Sequence, residues 1–271
     1  MRISVVVPTR NSARTLRACL TSLRHQTHPD VEVVVVDNAS TDGTAEIARE
    51  LADTAVDRGP ERSAQRNHGA ALSTGEVVLF VDSDMVLEPG VVAEVEALLE
   101  RRPDVGSVVV PERSFGEGFF TECRVLEKSL YVGADDVEAP RAFRREVLDL
   151  VGGWSEHLTA AEDWDLADRC AAAGVVVGRV DAWIWHDEGR IRLRGTFSKK
   201  RYYGRWIAHY LGEHRAEGGR RLAHTSLFRQ PGRLLADPVH AGGMLLLKSV
   251  EASGLAAGML DARRETVKVG S

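Results

Sequence analysis

The chain has 271 residues, of which 44% are apolar and 28% charged, and a net charge of −5, the composition of an ordinary soluble protein that can bury a full core. No stretch of about 18 apolar residues occurs, and the first apolar run is too short for a signal peptide, so we expect neither a membrane-spanning helix nor a leader sequence. Cys19, Cys123 and Cys170 are too far apart for metal-type spacing, so we expect reduced thiols in a cytoplasmic protein.

The charge is unevenly distributed along the chain. Residues 189–233 contain twelve lysines and arginines but only two acidic residues, Glu213 and Glu217, so the rest of the chain is acidic. This asymmetry indicates an anionic partner for the basic segment, whereas the acidic remainder argues against general nucleic-acid binding.

Strand and helix patterns alternate through the first 110 residues. Continuous runs of apolar, mostly β-branched residues predict buried strands, and apolar residues at helical spacing predict helices between them. The predicted strands lie at residues 3–7, 31–36, 77–81 and 105–110. The predicted helices run from Ser12 to about Arg24, through Ile47–Leu51, over Arg62–Leu72 after a turn at Asp57–Pro60, and from Pro89 to about Leu99. This order predicts parallel βαβ units.

The pattern beyond residue 110 is less regular. We expect a helix over Phe115–Tyr131, whose start Gly116 and Gly118 leave undefined, and a final, mildly apolar helix over Pro238–Leu260. Shorter elements are expected as a strand at Ala142–Arg145, a helix reaching Leu150, a helix at Trp164–Ala173, a strand at Val175–Val180, and an extension of the sheet at Trp183–His186.

Two carboxylates, Asp82 and Asp84, directly follow the apolar run 77–81. A buried strand delivers them to the carboxyl edge of the sheet, where open α/β folds bind ligands. Hard anionic oxygen donors at that place suit Mg²⁺ or Mn²⁺ carrying a substrate phosphate. An Asp-x-Asp triplet in a solvated turn is the alternative, and the rest of the chain must decide.

Four motifs occur in one order over residues 1–190. They are Val5-Val6-Val7-Pro8-Thr9-Arg10-Asn11; Val35-Val36-Asp37 followed by the polar loop to Thr44; Asp82-Ser83-Asp84; and Gly152-Gly153-Trp154 followed by Glu162-Asp163-Trp164. Together they closely resemble the family 2 inverting glycosyltransferases with the GT-A fold.

The resemblance implies an α/β fold with a Rossmann-like nucleotide-sugar-binding half at residues 1–110 and a mixed-sheet acceptor half of the same domain at 111–190. Residues 191–271 would form a basic lid and a C-terminal basic, amphipathic helical extension. The implied reaction moves a sugar, as in a hexosyltransferase, from a UDP- or GDP-type nucleotide sugar to an acceptor hydroxyl.

The same resemblance assigns residues to the donor nucleotide. Asp37 would accept a hydrogen bond from the base, as a carboxylate does well for a ring N–H, whereas Asp42 and Thr44 would brace the loop. For Arg66 an ordinary surface position on its helix stays open as the alternative. The full implied nucleotide set is Pro8, Thr9, Arg10, Asn11, Asp37, Arg62, Arg66, Asn67, Asp82 and Ser83.

A divalent metal, Mn²⁺ or Mg²⁺, is implied for the diphosphate. Asp84 would ligate it directly, and Asp82 would contact the ribose or reach the ion through water. His186 would be a further contact to the metal or the diphosphate, and an imidazole beside carboxylates favours Mn²⁺. Such an ion neutralises charge that builds on the leaving nucleoside diphosphate. A structural role is the alternative for His186.

Asp163 would carry the chemistry. An inverting transfer needs one base to take the proton of the acceptor hydroxyl, and the family places it at the position of Asp163, where a helix N-terminus favours a carboxylate. Glu162, Trp164 and Trp154 would shape the acceptor site. A plain acidic helix start is the alternative.

The basic segment and the last helix have the least certain roles. Lys199, Arg201 and Tyr203 could fold over the diphosphate as a lid. Arginines before the last helix could bind an anionic membrane surface, which fits a lipid-linked or cell-envelope acceptor and a peripheral location at the inner face of the membrane. Packing of that helix on the catalytic domain, or on the partner in a homodimer, is the alternative.

Two other functions stay in view. A sugar-nucleotide nucleotidyltransferase shares the α/β half, but its glycine-rich first loop is absent from Pro8–Asn11. A non-catalytic carbohydrate- or nucleotide-binding module of the same fold is the second. The sequence does not distinguish the sugar, the donor nucleotide or the acceptor.

Overall fold

The structure is a computed structural model that describes residues 1–133, 138–158, 161–213 and 230–269. It contains two compact units. Unit 1 comprises Met1–Arg113, Glu138–His157 and Glu162–Asp187, and unit 2 comprises Ser114–Val137, Leu158–Ala161 and Glu188–Ser271. The functional division that we expect at residues 110 and 190 stays a prediction.

Ten strands and ten helices are defined in the described part of the chain. The strands are β1 Ile3–Thr9, β2 Val31–Asp37, β3 Thr54–Asp57, β4 Val77–Phe80, β5 Met85–Leu87, β6 Val105–Val109, β7 Glu112–Phe115, β8 Ala142–Arg144, β9 Val176–Arg179 and β10 Ile184–Asp187. The helices are α1 Ala13–Arg24, α2 Thr44–Leu51, α3 Arg62–Leu72, α4 Val91–Arg101, α5 Phe119–Ser129, α6 Arg145–Val151, α7 Glu162–Ala172, α8 Leu193–Glu213, α9 Pro231–Ala236 and α10 Pro238–Val269.

Unit 1 is built on a seven-stranded sheet with the order β3-β2-β1-β4-β8-β6-β9. Strands β3, β2, β1 and β4 are parallel, β8 runs antiparallel to β4 and β6, and β9 is parallel to β6. The central strands are buried on both faces, as their continuous apolar runs predict. The register pairs Thr9 with Asp37 and Val6 with Phe80, so the loops after β1, β2 and β4 leave the same edge of the sheet.

Two elements depart from the sequence-based expectation. Trp183–His186 was expected to extend the main sheet, but β10 instead lies in a separate three-stranded sheet with the order β5-β10-β7. The pairing of His186 with Met85 explains this, because β5 directly follows the loop with Asp82 and Asp84. Helix α5 begins at Phe119, four residues later than Phe115, because Gly118 has a left-handed φ of 93° that a helix does not allow.

Glycines let α8 and α10 pack closely in unit 2. A Cβ atom on Gly258 would lie 2.1 Å from the carbonyl oxygen of Arg201, and one on Gly204 would lie 2.3 Å from that of Leu255. Both distances are far below van der Waals contact with backbone atoms. The two helices can therefore keep this spacing only if these positions have no side chain.

Helix α10 also carries charged residues that are buried in unit 2. Glu251 is 4% exposed and forms ion pairs with Arg124 of α5 and Lys200 of α8, and Lys248 forms an ion pair with Glu127 of α5. Burial tends to raise the pKa of Glu251, but the three surrounding cations outweigh it and lower that pKa to about 2. These pairs fix the rotation of α10 against α5 and α8.

The expectation that no helix could cross a membrane needs correction. In the described residues, the stretch Pro238–Ala262 of α10 is long and apolar enough to do so by length and composition. Leucine, alanine, valine and methionine make the stretch apolar although Lys248 and Glu251 interrupt it. Length and composition alone are weak support for a membrane-spanning helix, because core helices of soluble proteins also have them.

Most of the arginines that we expect at a membrane surface, Arg215, Arg220, Arg221 and Arg229, lie outside the described residues.

Substitution at the α8–α10 contact tests this packing. We expect Gly258→Ala to lower the free energy of unfolding by about 1–3 kcal/mol, because the new methyl group must displace backbone. The matched control is Gly242→Ala on the same helix, where nothing lies within 4 Å of an added Cβ. That change should be neutral or stabilise by up to about 1 kcal/mol. Equal effects in urea unfolding would contradict the close contact.

Candidate active site

The loops that follow β1 and β2 are joined by hydrogen bonds. The Asn11 N–H donates to Ser40 Oγ at 2.7 Å, and the Thr41 N–H donates to Asn11 Oδ1 at 2.9 Å. Asn11 has a left-handed φ of 49°, which asparagine tolerates better than most residues. The buried Asp37 carboxylate accepts both the N–H and the Oγ–H of Ser40, at 2.8 and 2.5 Å. Asp37 lies at the edge of the sheet, and its two hydrogen bonds also stabilise the loop after β2.

Asp42 and Thr44 connect the second loop to the start of α1. Asp42 accepts hydrogen bonds from the Thr44 hydroxyl and from the Ala13 N–H, and the Ser12 N–H donates to Thr44 Oγ1 at 2.7 Å. The bond from Thr44 is the main cause of a lowered pKa at Asp42. This geometry fits a bracing role for both residues.

The other candidates on the first and third loops differ in exposure. Pro8 and Thr9 are buried at the end of β1, whereas Arg10 and Asn11 are exposed. Ser83 Oγ donates to Ser12 Oγ at 2.9 Å, which connects the loop after β4 to the loop after β1. The three loops thus form one continuous rim at the carboxyl edge of the parallel strands.

Arg66 of α3 lies at the centre of the site and is 1% exposed. Its Nη2 is 2.9 Å from Asp82 Oδ1, and its Nη1 is 3.3 Å from Asp163 Oδ1 and 3.4 Å from Glu162 Oε1. The alternative that Arg66 is an ordinary surface residue is therefore wrong. One buried guanidinium connects the loop after β4 with the start of α7.

Trp154 completes the surroundings of Arg66. The guanidinium lies 4.2 Å from the centroid of the Trp154 ring, and Trp154 also packs edge-on against Phe80 at 5.1 Å. Asn67 holds the Trp154 backbone in place, because its amide donates to the Trp154 carbonyl and accepts from the Trp154 N–H, each at 2.8 Å. Both ends of the Asn67 side chain are thus engaged with the protein. Arg66, Asp82, Glu162, Asp163 and Trp154 are called the Arg66 cluster below.

A chain of alternating charges leads from the Arg66 cluster to the second carboxylate of the motif. Asp82 Oδ2 lies 3.6 Å from Arg141, and Arg141 pairs with Glu112 at 2.5 Å. His186 lies next, with Nδ1 3.8 Å from Glu112 and Nε2 3.3 Å from Asp84 Oδ2. The structure therefore brings Asp82, Asp84 and His186 together.

Sequence reasoning missed Arg141 and Glu112. No local motif marks them. The pairing of β8 with β4 positions Arg141, whose carbonyl accepts the Phe80 N–H at 2.9 Å, whereas Glu112 lies on β7 of the three-stranded sheet. The signal that could have found them is the antiparallel insertion of β8 between β4 and β6, which a single sequence does not reveal.

The charges of the cluster set opposite pKa directions at its carboxylates. Burial acts to raise the pKa of Asp82, but Arg66, Arg141 and Arg62 outweigh it and hold that pKa below its usual range. Burial and the neighbouring Asp163 raise the pKa of Glu162. Asp163 itself is 49% exposed, on the first turn of α7. The site therefore presents one accessible carboxylate beside a buried one that retains its proton more readily.

The remaining candidates lie on α7 and α8. Trp164 is half-buried on the first turn of α7. Lys199, Arg201 and Tyr203 belong to α8 in unit 2, where Arg201 pairs with Asp261 of α10 at 2.7 Å. Their role as a lid stays a prediction.

The metal candidates are fewer than a complete protein-only site needs. Among the described residues, no group of three or more histidine, cysteine, aspartate or glutamate side chains is placed to hold a metal ion. Asp84 and His186 are adjacent and partly exposed, at 40% and 21%. These two side chains could supply an oxygen and a nitrogen ligand to an ion that takes its other ligands from elsewhere.

Solved structures with the same architecture define the class of fold. Mannosyltransferase PcManGT from Pyrobaculum calidifontis superposes with a TM-score of 0.65 at 22% identity, over 96% of this chain and 87% of that one. Staphylococcus aureus TarS 1-349 superposes with a TM-score of 0.61 at 18% identity, over 100% of this chain and 92% of that one. These likenesses confirm the predicted α/β architecture as the GT-A fold.

The sequence identifies the family. The profile of Glycosyl transferase family 2 matches residues 4–148, so the chain belongs to that family and is a glycosyltransferase. A PGL/p-HBAD biosynthesis glycosyltransferase of Mycobacterium bovis is 30% identical over 190 residues, which are 65% of this chain and 72% of that protein. An uncharacterised glycosyltransferase of Nostoc sp. is 38% identical over 96 residues, which are 33% of this chain and 30% of that protein, so the chain spans less than a third of that relative.

Removal of the buried cation tests the Arg66 cluster. We expect Arg66→Met to lower the free energy of unfolding at pH 7 by about 3–5 kcal/mol, because it leaves buried carboxylates without their partner. The matched control is Arg62→Met, one turn earlier on α3, which removes a 44% exposed arginine that also pairs with Glu162, at 3.1 Å. The control should cost less than about 1 kcal/mol.

The difference between Arg66→Met and the wild type should depend on pH. The folded pKa of Asp82 lies below its unfolded value of about 3.9, so Asp82 stabilises the fold above pH 4 and loses this effect as the pH falls. The deficit of Arg66→Met should therefore narrow below about pH 4 in urea unfolding. A deficit that is small, or constant across that range, would contradict the ion pairs described here.

Proposed function

We propose that this glycosyltransferase moves a hexose from a UDP- or GDP-sugar to an acceptor hydroxyl with inversion of configuration, with Asp163 as the general base. The observation that carries the proposal is the accessible Asp163 carboxylate on the first turn of α7, 3.3 Å from Arg66. Arg66 also binds Asp82, so one cation connects the candidate base with the motif expected at the donor diphosphate.

The proposed step uses this arrangement directly. The acceptor hydroxyl attacks the anomeric carbon, its proton passes to Asp163, and the bond from that carbon to the diphosphate oxygen breaks, so the nucleoside diphosphate leaves. Asp163 lies on the first turn of α7, with the Arg66 guanidinium 3.3 Å away. Burial and the neighbouring Asp163 raise the pKa of Glu162.

The donor site is proposed at the rim formed by the loops after β1, β2 and β4. Asp37, at the edge of the sheet, would accept a hydrogen bond from a base N–H, with Pro8, Thr9, Arg10, Asn11 and Ser83 along the same rim. PcManGT has been solved in complex with GDP-Man and TarS in complex with UDP-GlcNAc, which supports both nucleotide types. Asn67 acts by positioning Trp154, because both ends of its side chain are engaged.

A divalent metal fits the residues at Asp84 and His186. A carboxylate oxygen and an imidazole nitrogen 3.3 Å apart suit Mn²⁺, and Glu112 lies 3.8 Å from the other ring nitrogen, which is too far for a direct hydrogen bond. Asp82 is held by Arg66 and Arg141, which favours an indirect role for it. When bound, the ion would supply charge neutralisation at the leaving diphosphate. The PcManGT complex contains Mn²⁺, and glucosyl-3-phosphoglycerate synthase from Mycobacterium tuberculosis has been solved with Mg²⁺ and with Mn²⁺.

The acceptor is proposed as a lipid-linked or cell-envelope hydroxyl compound on the cytoplasmic side of a membrane. Glu162 and Trp164 lie beside the base on the first turn of α7. Trp154 is only 5% exposed, so it affects the acceptor site indirectly, through Arg66.

Membership of the glycosyltransferase family favours sugar transfer over nucleotidyl transfer and over a non-catalytic binding module.

Amidation of the base tests the proposal. We expect Asp163→Asn to lower the rate of nucleoside diphosphate release from the preferred donor in the presence of acceptor by at least about 10³-fold, with an unchanged Kd for the nucleoside diphosphate in calorimetry. NMR of the wild-type product should show inversion at the anomeric carbon. The matched control Asp181→Asn, at an exposed aspartate between β9 and β10, should have wild-type activity. Full turnover of Asp163→Asn, or retention of configuration, would contradict the mechanism.

A further inference from the structure

Between Pro238 and Ala262, helix α10 has an exposed face without charged residues. Between residues 238 and 262, where its side chains are described, the exposed positions are Pro238, Val239, Gly242, Leu245, Leu246, Ser249, Ala252, Ser253, Ala256 and Leu260. These positions follow helical spacing and form one stripe, called the outer face below. The stripe from Val239 to Leu260 is about 32 Å long at 1.5 Å per residue.

The charged residues of the same stretch lie on the other side. Glu251 is buried among Arg124 and Lys200, and Lys248 pairs with Glu127. Asp261 pairs with Arg201 at 2.7 Å. A helix on a water-exposed surface normally shows the opposite arrangement, with its charged side chains outward. The outer face is therefore built for an environment other than bulk water.

The apolar side chains of the outer face are strongly exposed. Val239 is 65% exposed, Leu245 56%, Leu246 49% and Leu260 54%, and Leu235 of the neighbouring α9 is 79% exposed. Contiguous exposed apolar surface marks a binding site for a protein or a membrane. The ion pairs of Lys248 and Glu251 keep the helix attached to unit 2, so the outer face would lie along its partner rather than pass through it.

Charge distinguishes between the two kinds of partner. Residues 188–271 carry sixteen lysines and arginines against seven aspartates and glutamates. In the described part, exposed bases include Arg192, Arg194 and Lys199. Two copies of this unit would meet with like charge, whereas an anionic lipid surface complements it and attracts each nearby base.

We propose that the outer face of α10 lies on the surface of an anionic lipid bilayer, parallel to the membrane plane. Its leucines and valine enter the boundary between headgroups and acyl chains, and the basic residues of the same unit bind the anionic headgroups. Leu235 of α9 extends the apolar contact. The inference rests on unit 2 alone and holds whether or not the proposed transfer reaction is correct.

Vesicle flotation with the full chain tests the proposal. We expect the wild type to float with vesicles of phosphatidylcholine and phosphatidylglycerol, to bind at least about tenfold more weakly to phosphatidylcholine alone, and to be released by high salt. Leu245→Glu/Leu246→Glu should weaken binding to the anionic vesicles by at least about tenfold. Since both positions are exposed, its melting temperature should stay within about 2 °C of the wild type.

The matched control is Leu150→Glu, which introduces the same charge at a leucine of α6 in unit 1 that is 68% exposed. It should float as the wild type does. The proposal is overturned if the wild type binds neither vesicle, if it binds both equally, or if Leu150→Glu and the double variant lose binding alike. The alternative partner of the outer face is a second copy of this chain, which sedimentation of lipid-free protein would detect. A wild-type dimer that dissociates in Leu245→Glu/Leu246→Glu would show that the outer face binds a second copy, and would overturn the proposal.

Discussion

The burial of one cation, Arg66, determines how the active site is assembled. A guanidinium that is 1% exposed is costly to remove from water unless opposite charges and hydrogen bonds replace its hydration. Asp82 and the Glu162–Asp163 pair supply the charges, and the face of Trp154 packs against the guanidinium, whose Nε has no hydrogen-bond partner among the described residues. Because these partners come from the loop after β4, the turn before α7 and α7 itself, satisfying Arg66 fixes the donor side and the base side of the site in one geometry.

Much of unit 1 was predictable from the sequence because its interactions are local or follow simple periodicity. The buried runs at β1, β2 and β4 show as continuous apolar segments, and α3 was placed correctly at Arg62–Leu72. The pairing of β10 with β5 was not predictable, because it depends on contacts about a hundred residues apart in very short strands. The same reason hid Arg141 and Glu112, which meet only once β8 is paired with β4 and β7 is paired with β10.

Helix α10 shows where composition and structure give different information. Over Pro238–Leu260 its sequence is mildly apolar with two charged residues, Lys248 and Glu251, which was insufficient to predict a membrane-length helix or to decide between packing and membrane contact. The structure resolves the packing: Gly258 and Gly204 bring α8 and α10 together, and Lys248 and Glu251 face inward. A single sequence does not show which side of an apolar helix is covered by the rest of the protein. The uncharged outer face can therefore be recognised only once the direction of each side chain is known.

The most direct test of the account asks whether the rim and the Asp84–His186 pair form one diphosphate site. We would measure the melting temperature of the wild type and of Asp84→Ala with UDP, GDP, dTDP and CDP, each with and without Mn²⁺. A ligand that binds the folded state raises the melting temperature by an amount set by its concentration relative to Kd. We expect a rise of several degrees for UDP or GDP that requires Mn²⁺ and is lost in Asp84→Ala. No rise with any diphosphate, or an equal rise without metal in both proteins, would contradict it.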